Sequence, residues 1–365
     1  MAARGLFWGS VGLVLGLIFL VPSAALGAAV GPAAHSAAAV RHGGTTAPVG
    51  FNQPGNLLIT DQFNNRVIEV NPLTKQVVWS FGSGNSTLCN PGAGSVIGAN
   101  DAERLSGGYT LIAGTGIPAG VPGTTACVDN RVIVVNPSGK IVWQYGVAGK
   151  TGTGFDLLNV PVFAIQLPNH HFLVVDQGNN RVIEVNFAKK IVWSYGPTSG
   201  PGALSNPNSA ELLANGDVLI ADENNNRVIE VNHAGKIVWQ YSHGLSIAAF
   251  ASRLPNGGTL ITDAAHSRVV LINATKHVVF QFVTNRSAGS NPAPSPSNAV
   301  MLAGGYIVIS DQNNNRVIVV SPSGHIVFQY GKTNVAGSGS DELFGPYTAF
   351  AIGDYTGQTP PPKVY

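Results

Sequence analysis

The chain is short of charged side chains, of cysteine and of the motifs that mark common enzymes. Only 10% of its 365 residues are Asp, Glu, Lys or Arg, and the formal net charge is +2. Without a Lys/Arg-rich run or a strong net charge, the sequence indicates no nucleic-acid partner. It also lacks a Gly-x-Ser-x-Gly elbow, a His-Glu-x-x-His motif, a complete Gly-x-x-x-x-Gly-Lys-Ser/Thr phosphate loop and a Cys-x-x-Cys pair. The usual signatures of serine hydrolases, zinc proteases, nucleotide-binding enzymes and thiol oxidoreductases are therefore missing.

The N-terminal 28 residues have the pattern of a secretory signal. Arg4 is the only charged residue before Arg41, and an apolar stretch from Leu6 to Val21 is followed by small residues. This stretch is slightly long for a cleaved signal and slightly short for a membrane span, so residues 1–28 are either a signal peptide or a retained N-terminal anchor. Both alternatives place the folded part outside the cytoplasm, with membrane contact only if the segment is retained. Residues 29–46 are predicted to be a flexible linker, because they contain little apolar surface to bury.

Cys89 and Cys127 are the two cysteines of the chain. In an exported protein, two cysteines predict one disulfide bond between them. The alternative is a pair of free, buried thiols.

The chain does contain a sixfold repeat. Each copy has a segment similar to Asn-Asn-Arg-Val-Ile-Glu-Val-Asn, then a turn, then an apolar run ending in two aromatic residues separated by one residue. Each copy reads as four short strands joined by turns rich in Gly, Asn and Pro. Successive copies lie 41 to 65 residues apart, which predicts a β-propeller with one blade per copy. The arginines that mark the copies are Arg66, Arg131, Arg181, Arg227, Arg268 and Arg316.

The two ends of the repeat region predict how the ring closes. Residues 345–353 match the innermost strand of the other blades, but no further strands follow them. Residues 47–51, at the other end, make a poor innermost strand. We therefore expect an all-β, six-bladed propeller of four-stranded antiparallel blades over residues 47–353, whose first blade is completed by the C-terminal strand. This arrangement leaves no exposed innermost edge, and residues 354–365 remain as a C-terminal tail.

An aspartate precedes the marker arginine by five residues in five copies. The two residues lie at opposite ends of one short connection, so we expect a structural salt bridge that clamps the second strand to the third. In the second copy Ala126 stands at the position of the aspartate, and the pattern supplies no clamp for that blade. The predicted clamps are Asp61 with Arg66, Asp176 with Arg181, Asp222 with Arg227, Asp263 with Arg268, and Asp311 with Arg316.

All long insertions are predicted to emerge on one face of the ring, here called the loop-bearing face. They fall between the second and third strands or between blades, at residues 83–99, 114–128, 147–159, 284–296 and 332–344. Binding residues concentrate on loops held by a rigid scaffold, so this face is the predicted binding face. Within the propeller, His243 and His266 are the histidines that map to it. His266 occupies a position that is polar in every copy, and the other binding candidates there are Asn64, Asp129, Asn179, Asn225 and Asn314.

The segment Asp-x-x-Asn-Asn-Arg-Val-Ile-Glu-Val, as in residues 61–70, resembles the NHL repeat. That resemblance covers roughly residues 50–353 and implies a propeller, commonly of six blades. Lyases built on NHL-like propellers use metal-binding histidines near the axis, and the predicted innermost strands of this chain carry none.

The half-repeat at residues 136–143, Asn-Pro-Ser-Gly-Lys-Ile-Val-Trp, also resembles repeats of quinoprotein-like propellers and of bacterial arylsulfotransferases. Quinone-dependent dehydrogenases of that type generally have eight blades and a calcium site, which six predicted blades do not match. Arylsulfotransferases use a histidine as the group acceptor, and neither His243 nor His266 has the sequence context of that residue. We therefore expect no cofactor and no resident metal.

Two functional hypotheses follow from the sequence. The first is an exported, non-catalytic binding or scaffold propeller whose loop-bearing face takes a protein, a glycan or a small molecule. The alternative is an extracytoplasmic propeller enzyme, transferase-like or lyase-like, centred on His243 and His266. Two neutral surface histidines are the simpler interpretation of that pair, and function does not transfer with the propeller fold itself.

Overall fold

The structure, a computed structural model, describes residues 49–92 and 94–353. The predicted signal peptide or anchor at residues 1–28, the linker at 29–46 and the tail at 354–365 lie outside the described residues. Within residues 49–92 and 94–353, no helix has the length and apolar character needed to cross a membrane.

Within the described residues, 24 strands form six separate four-stranded antiparallel sheets, and each sheet is one blade. Blade 1 consists of β1 (Leu57–Asp61), β2 (Arg66–Val70), β3 (Val77–Gly82) and β24 (Pro346–Ala351). Blade 2 consists of β4 (Ala99–Arg104), β5 (Thr110–Ile117), β6 (Cys127–Val135) and β7 (Ile141–Tyr145). Blade 3 consists of β8 (Pro161–Gln166), β9 (Phe172–Asp176), β10 (Arg181–Val185) and β11 (Ile191–Tyr195).

In the remaining blades, as in blades 2 and 3, the strands are numbered from the axis outward, whereas the innermost strand of blade 1 is β24. Blade 4 consists of β12 (Pro207–Leu212), β13 (Val218–Asp222), β14 (Arg227–Val231) and β15 (Ile237–Tyr241). Blade 5 consists of β16 (Ala248–Arg253), β17 (Thr259–Asp263), β18 (Arg268–Ile272) and β19 (Val278–Val283). Blade 6 consists of β20 (Pro296–Met301), β21 (Ile307–Asp311), β22 (Arg316–Val320) and β23 (Ile326–Tyr330).

Short 3-10 turns are the helical elements of the described chain. They span Gln62–Asn64, Ser106–Gly108, Gln177–Asn179, Glu223–Asn225, Ala264–His266, Thr284–Arg286, Ala303–Gly305 and Gln312–Asn314. Five of them connect the second strand of a blade to the third, directly after the predicted clamp aspartate, and so lie on the loop-bearing face.

The C-terminal strand closes the ring, as the sequence predicted. β24 pairs antiparallel with β1, with Leu57 opposite Ala351 and Ile59 opposite Ala349. The backbone amides of Gly55 and Ile352 extend the ladder beyond the strands through bonds of 2.8 Å each. Blade 1 therefore joins the two ends of the repeat region, and its innermost strand has a partner.

Apolar side chains fill the spaces between neighbouring blades. The ring of Trp143, on the outermost strand of blade 2, lies 4.4 Å from that of Phe172 in blade 3, measured between ring centroids. Its indole nitrogen donates to the carbonyl of Phe187, in the β10–β11 turn of the same neighbour. Trp79 makes the same kind of bond to Pro137 of the following blade. Each of these aromatic residues therefore contributes buried area and a hydrogen bond to its blade interface.

The second asparagine of the Asn-Asn-Arg motif also links blades. Asn65 and its counterparts Asn130, Asn180, Asn226 and Asn315 all have a positive φ, a conformation that asparagine tolerates better than most residues. Each side-chain Oδ1 accepts a hydrogen bond from a backbone amide at the start of the next blade. These bonds run from Gly98, Val160, Asn206, Ile247 and Gly345.

Candidate functional site at the loop-bearing face

The Asp–Arg pairs stand at the base of the loop-bearing face. In five blades the arginine Nε lies 2.7 to 2.8 Å from the Oδ2 of the aspartate five residues earlier. The aspartate side chains are fully buried, and burial raises the pKa of Asp61, Asp176 and Asp311 against the opposing effect of the arginine and the hydrogen bonds. In four of these blades the other carboxylate oxygen accepts an amide from the preceding inter-blade link. Each of those carboxylates therefore joins two strands and a link.

Blade 2 keeps an ion pair but builds it differently. Its β5–β6 register places Gly114 opposite Arg131, where the other blades have the aspartate opposite the arginine. Asp129 fills the space over Gly114, and its Oδ1 lies 2.5 Å from the Nε of Arg131. A Cβ on Gly114 would come within 2.7 Å of that carboxylate. The sequence rule, which places the aspartate five residues before the arginine, points to Ala126 in this blade. It misses the pair because the β5–β6 connection is longer than the others.

The predicted binding asparagines lie against the clamps. Asn64, Asn179, Asn225 and Asn314 each donate an Nδ2 hydrogen bond of 2.7 to 2.8 Å to the clamp carboxylate of their own blade. Each also donates to a carbonyl of the preceding link. Their amide nitrogens are therefore occupied within the protein, and their visible role is to position the links.

The two histidines of the loop-bearing face have different surroundings. His266 Nδ1 lies 2.9 Å from Oδ2 of Asp263, the clamp carboxylate of blade 5, and its side chain is half exposed. His243 is exposed in the turn after β15. Within the described residues, no group of three His, Cys, Asp or Glu side chains is placed to hold a metal ion.

A disulfide bond braces a protrusion on blade 2. Cys89 and Cys127 are bonded to each other, with their Cα atoms 5.5 Å apart, as the sequence predicted. The extended β5–β6 hairpin carries the loop at residues 118–126, and the link after β3 lies against it. Ser86 strengthens the contact, since its Oγ donates to the carbonyl of Gly123 and its own carbonyl accepts from Thr125. The loop-bearing face of blade 2 therefore carries an extended hairpin that is held by a disulfide bond and two hydrogen bonds.

A ring of polar side chains surrounds the axis on the same face. Its members are the first residues of the 3-10 turns that follow the clamp aspartates, namely Gln62, Gln177, Glu223 and Gln312, while blade 5 contributes Ala264. Gln312 Nε2 donates to Gln62 Oε1 at 2.9 Å. Gln177 Nε2 lies 3.4 Å from Glu223 Oε2 and 3.3 Å from Asn208 Oδ1. Polar side chains thus link blade 6 to blade 1 and blade 3 to blade 4 around the axis, and we call this site the axial mouth.

Tyr347 forms the floor of the axial mouth. It projects from β24 in blade 1, and its hydroxyl donates a 2.8 Å hydrogen bond to Oδ1 of Asn208 in blade 4, on the opposite side of the ring. The side chain of Asn100 lies near the same hydroxyl, where it lowers the pKa of Tyr347. Deeper in the channel the rings of Phe163 and Phe250 meet with centroids 5.8 Å apart. The mouth is therefore a depression closed from below.

The charge of the axial mouth comes from Glu223. Its side chain is partly exposed but surrounded by protein on several sides, and burial raises its pKa to about 7. Burial is the cause of this shift, and no arginine or lysine of the described chain contributes an opposing attraction. This carboxylate differs in that respect from the clamp aspartates, each of which has an arginine.

The sequence matches the family described as outer membrane protein assembly factor BamB over residues 63–330. The chain belongs to this family. The propeller implied by the NHL-like motif is confirmed, whereas the NHL label itself remains a resemblance. No curated protein sequence matches the chain significantly.

Solved structures similar to this BamB-family propeller share its fold at low sequence identity. A protein of unknown function from Bacteroides caccae gives a TM-score of 0.58 at 15% identity, over 81% of this chain and 98% of that one. Virginiamycin B lyase from Staphylococcus aureus gives 0.47 at 16% identity, over 66% of this chain and 75% of that one. A streptogramin B lyase gives 0.48 at 16% identity, over 70% and 76%. The first likeness shows the fold alone, and the two lyases carry no argument about activity.

A second depression lies further out on this BamB-family propeller, between blades 3 and 4. It has a volume of about 520 Å³ and is lined in part by Ser205, Asn225, Arg227 and Gln240. The guanidinium of Arg227 is already bonded to Asp222, to Gln240 and to two backbone carbonyls. This depression therefore presents no unpaired charge, and the axial mouth is the stronger candidate.

Reasoning from the sequence missed the axial mouth. It selected the third residue after each aspartate, where the asparagines lie, rather than the first, which reads Gln, Gln, Glu, Ala and Gln in the five blades with a regular clamp. The recurrence of polar residues at this position is present in the repeat sequence. These side chains approach the axis because of the 3-10 turn, which directs its first residue inward and its third residue toward the link.

Proposed function

We propose that this BamB-family protein is an exported, non-catalytic propeller that binds a ligand on its loop-bearing face, with the axial mouth as the recognition pocket. The observation that carries the proposal is the convergence of polar side chains from several blades around the uncompensated carboxylate of Glu223. A concave site with a few convergent polar groups is the usual form of a binding pocket.

The loops around the mouth support a binding role. Long links and the disulfide-braced hairpin rise on this face, and they give the symmetric ring one distinct side. The family description, assembly of outer membrane proteins, favours a partner that is itself a protein, while a glycan or a small molecule would fit the same face. The disulfide supports an extracytoplasmic location, because such bonds persist in oxidising compartments.

A second candidate function is an extracytoplasmic enzyme centred on His243 and His266. The observation that favours it is the Asp263–His266 pair, because a carboxylate that orients an imidazole is a recurring part of general-base sites. The Asp263 carboxylate also accepts hydrogen bonds from Arg268 and from the amide of Ser246, which supports a structural role for the Asp263–His266 pair.

Two measurements test the proposal together. The purified protein is screened for turnover of sulfate esters, lactones and peptidyl substrates, and hydrogen exchange is recorded with and without a panel of soluble oligosaccharides, short peptides and small charged molecules. We expect no turnover, and ligand-dependent protection at residues 62–65, 118–126, 177–179 and 223–225. Turnover that is lost in both His243→Ala and His266→Ala would favour the enzyme instead. Protection confined to the opposite face would overturn the choice of surface.

A further inference from the structure

The carboxylate at the axial mouth has no cationic partner, unlike the other acidic groups of the loop-bearing face. Asp156 lies 2.7 Å from Lys189, Asp341 lies 2.8 Å from Lys75, and Glu342 lies 2.8 Å from Lys332, measured between the charged atoms. The hydrogen-bond partner of Glu223 is instead a neutral amide, at 3.4 Å. A partly desolvated carboxylate without a counter-ion is unfavourable in the free protein, and a bound cation relieves that penalty.

A second group at the floor of the mouth also lacks a partner. Asn100 is 3% exposed, and its Oδ1 has no hydrogen-bond donor within the described residues. The same side chain lies near the hydroxyl of Tyr347 and lowers the pKa of that phenol, which places it at the floor of the mouth. Leaving a buried acceptor unpaired costs about 1–3 kcal/mol. This observation is independent of Glu223, since it concerns a different blade and a neutral group.

Several donors of the mouth are already engaged with protein acceptors. The amide nitrogens of Gln177 and Gln312 donate to Glu223, Asn208 and Gln62, and the hydroxyl of Tyr347 donates to Asn208. The groups at the mouth that we find without a matching partner in the described chain are therefore the negative charge of Glu223 and the buried Oδ1 of Asn100. The phenol of Tyr347 spans the channel from blade 1 to Asn208 of blade 4.

Taking the mouth as the binding site proposed above, we propose that it binds an organic ammonium group, with Glu223 as the counter-ion and Asn100 as a hydrogen-bond acceptor at the floor. An alkylammonium supplies both the charge and the N–H donors that these two residues lack. A divalent metal ion fits less well, since calcium takes six to eight oxygen ligands and no cluster of three ligating side chains occurs in the described chain. An anion is disfavoured by the carboxylate.

The test uses n-butylammonium chloride as the probe, with butan-1-ol and sodium butyrate as uncharged and negative probes of the same chain length. Binding to the full chain is measured by titration calorimetry at pH 8 and low salt, and the site is located from amide chemical shifts of residues 177, 223 and 347. We expect one butylammonium site at the mouth and no binding of the other two probes there. The isosteric Glu223→Gln variant should weaken butylammonium binding at least tenfold.

Glu342→Gln is the matched control. It removes the same charge from the same face, but from a carboxylate paired with Lys332, so butylammonium affinity should stay within twofold of the original. Thermal melts of both variants establish that the ring is folded. Equal affinities of Glu223→Gln and the unaltered protein, or binding of Ca²⁺ in preference to butylammonium, would overturn the ammonium assignment.

The outcomes separate this inference from the proposed function. If butan-1-ol or butyrate binds at residues 177, 223 and 347 and butylammonium does not, the mouth remains a binding pocket and only the ligand class is wrong. If butylammonium binds elsewhere on the protein and leaves those amides unshifted, the ammonium assignment fails and the mouth loses its support as the recognition pocket. If none of the three probes binds at concentrations up to tens of millimolar, the ammonium assignment is overturned, while the exchange measurements above still decide the binding face.

Discussion

Two adjacent positions in each blade behave in opposite ways. The clamp position holds an aspartate in five blades, and that side chain is buried, paired with arginine and bonded to a neighbouring asparagine or histidine. The next position in the chain holds Gln62, Gln177, Glu223, Ala264 or Gln312, and it faces the axis. Repetition around the ring marks an interaction that every blade needs in order to fold. Variation at one symmetric position gives the ring an asymmetric centre, which is what the recognition of a single ligand requires.

Breaking a fully buried clamp should give the largest effect. Asp311→Ala leaves the guanidinium of Arg316, which is 1% exposed, without its counter-ion. Removing one partner of a buried ion pair costs about 3–5 kcal/mol, so urea unfolding should show a loss of that size. Asp263→Ala is the comparison, because the side chain of Arg268 is 26% exposed and water can solvate it. We expect a clearly smaller loss there, and equal losses in the two variants would mean that burial of the arginine does not set the strength of the clamp.

Removing the disulfide should loosen one sector of the loop-bearing face and leave the ring folded. The bond closes a separation of 38 residues, for which loop-closure entropy gives about 3–4 kcal/mol. In Cys89→Ser we expect faster amide exchange at residues 83–92 and 118–127, with unchanged protection in β8 and β12. Two free thiols in the protein purified without a reductant would contradict the bond itself. A global loss of protection would show that the bond supports the whole ring and not this sector alone.

Asp101, a carboxylate below the mouth, differs from the clamp aspartates in having no arginine partner among the described residues. Asp101, on the innermost strand of blade 2, is buried without an arginine, and burial raises its pKa from 3.8 to about 7. One of its oxygens accepts the amide of Ala164, and the other has no partner in the described chain. Because the folded state holds the proton more tightly than the unfolded state, stability should fall as the pH rises from about 4 to about 7.

Asp101→Asn removes that titration while keeping an acceptor for Ala164. The variant should be more stable than the unaltered protein at pH 8, by on the order of 2–4 kcal/mol, and equally stable at pH 4. Thermal or urea unfolding at several pH values checks this. A variant less stable at pH 8 would show that the charge at Asp101 is compensated, for example by a bound cation.

The sequence was sufficient to predict the fold because each blade repeats the same local pattern of strands and turns. The six copies, the alternating strand pattern and the match of residues 345–353 to an innermost strand together predicted six blades and the closing role of β24. The disulfide was predicted from two cysteines in a chain whose first 28 residues have the pattern of a secretory signal. Blade 2 was the exception, since its longer hairpin shifts the ion pair to Asp129 and leaves Gly114 at the usual position of the aspartate.

The axial mouth was out of reach of the same reasoning. Asn208 and Tyr347 are 139 positions apart in the chain, and they meet because their blades stand on opposite sides of one ring. A repeat pattern describes one blade at a time and cannot identify contacts across the axis. The inward direction of Glu223 depends likewise on the 3-10 turn, whereas the sequence shows only that a polar residue follows the aspartate.

The smallest expected effect concerns a clamp that lacks one hydrogen bond. In the other regular clamps the second carboxylate oxygen accepts the amide of Asn159, Ser205, Ser246 or Phe344. The residue at that point in blade 6 is Pro294, whose carbonyl accepts from Asn313 just as that of Ser205 accepts from Asn224. Proline has no N–H, and Oδ1 of Asp311 is accordingly buried without a partner.

Pro294→Ala supplies the missing donor. The new hydrogen bond should contribute about 0.5–1.5 kcal/mol, and the greater freedom of the unfolded chain should offset about 0.4–1 kcal/mol of it. The net change in unfolding free energy is therefore close to zero, and stability is the wrong quantity to measure. The decisive observable is the new amide at position 294, which should exchange as slowly as that of Ser205 if it bonds to Asp311. Exchange at the rate of an exposed loop amide would show that the carboxylate oxygen is turned away, and that the clamp of blade 6 departs from the other regular clamps for a reason other than proline.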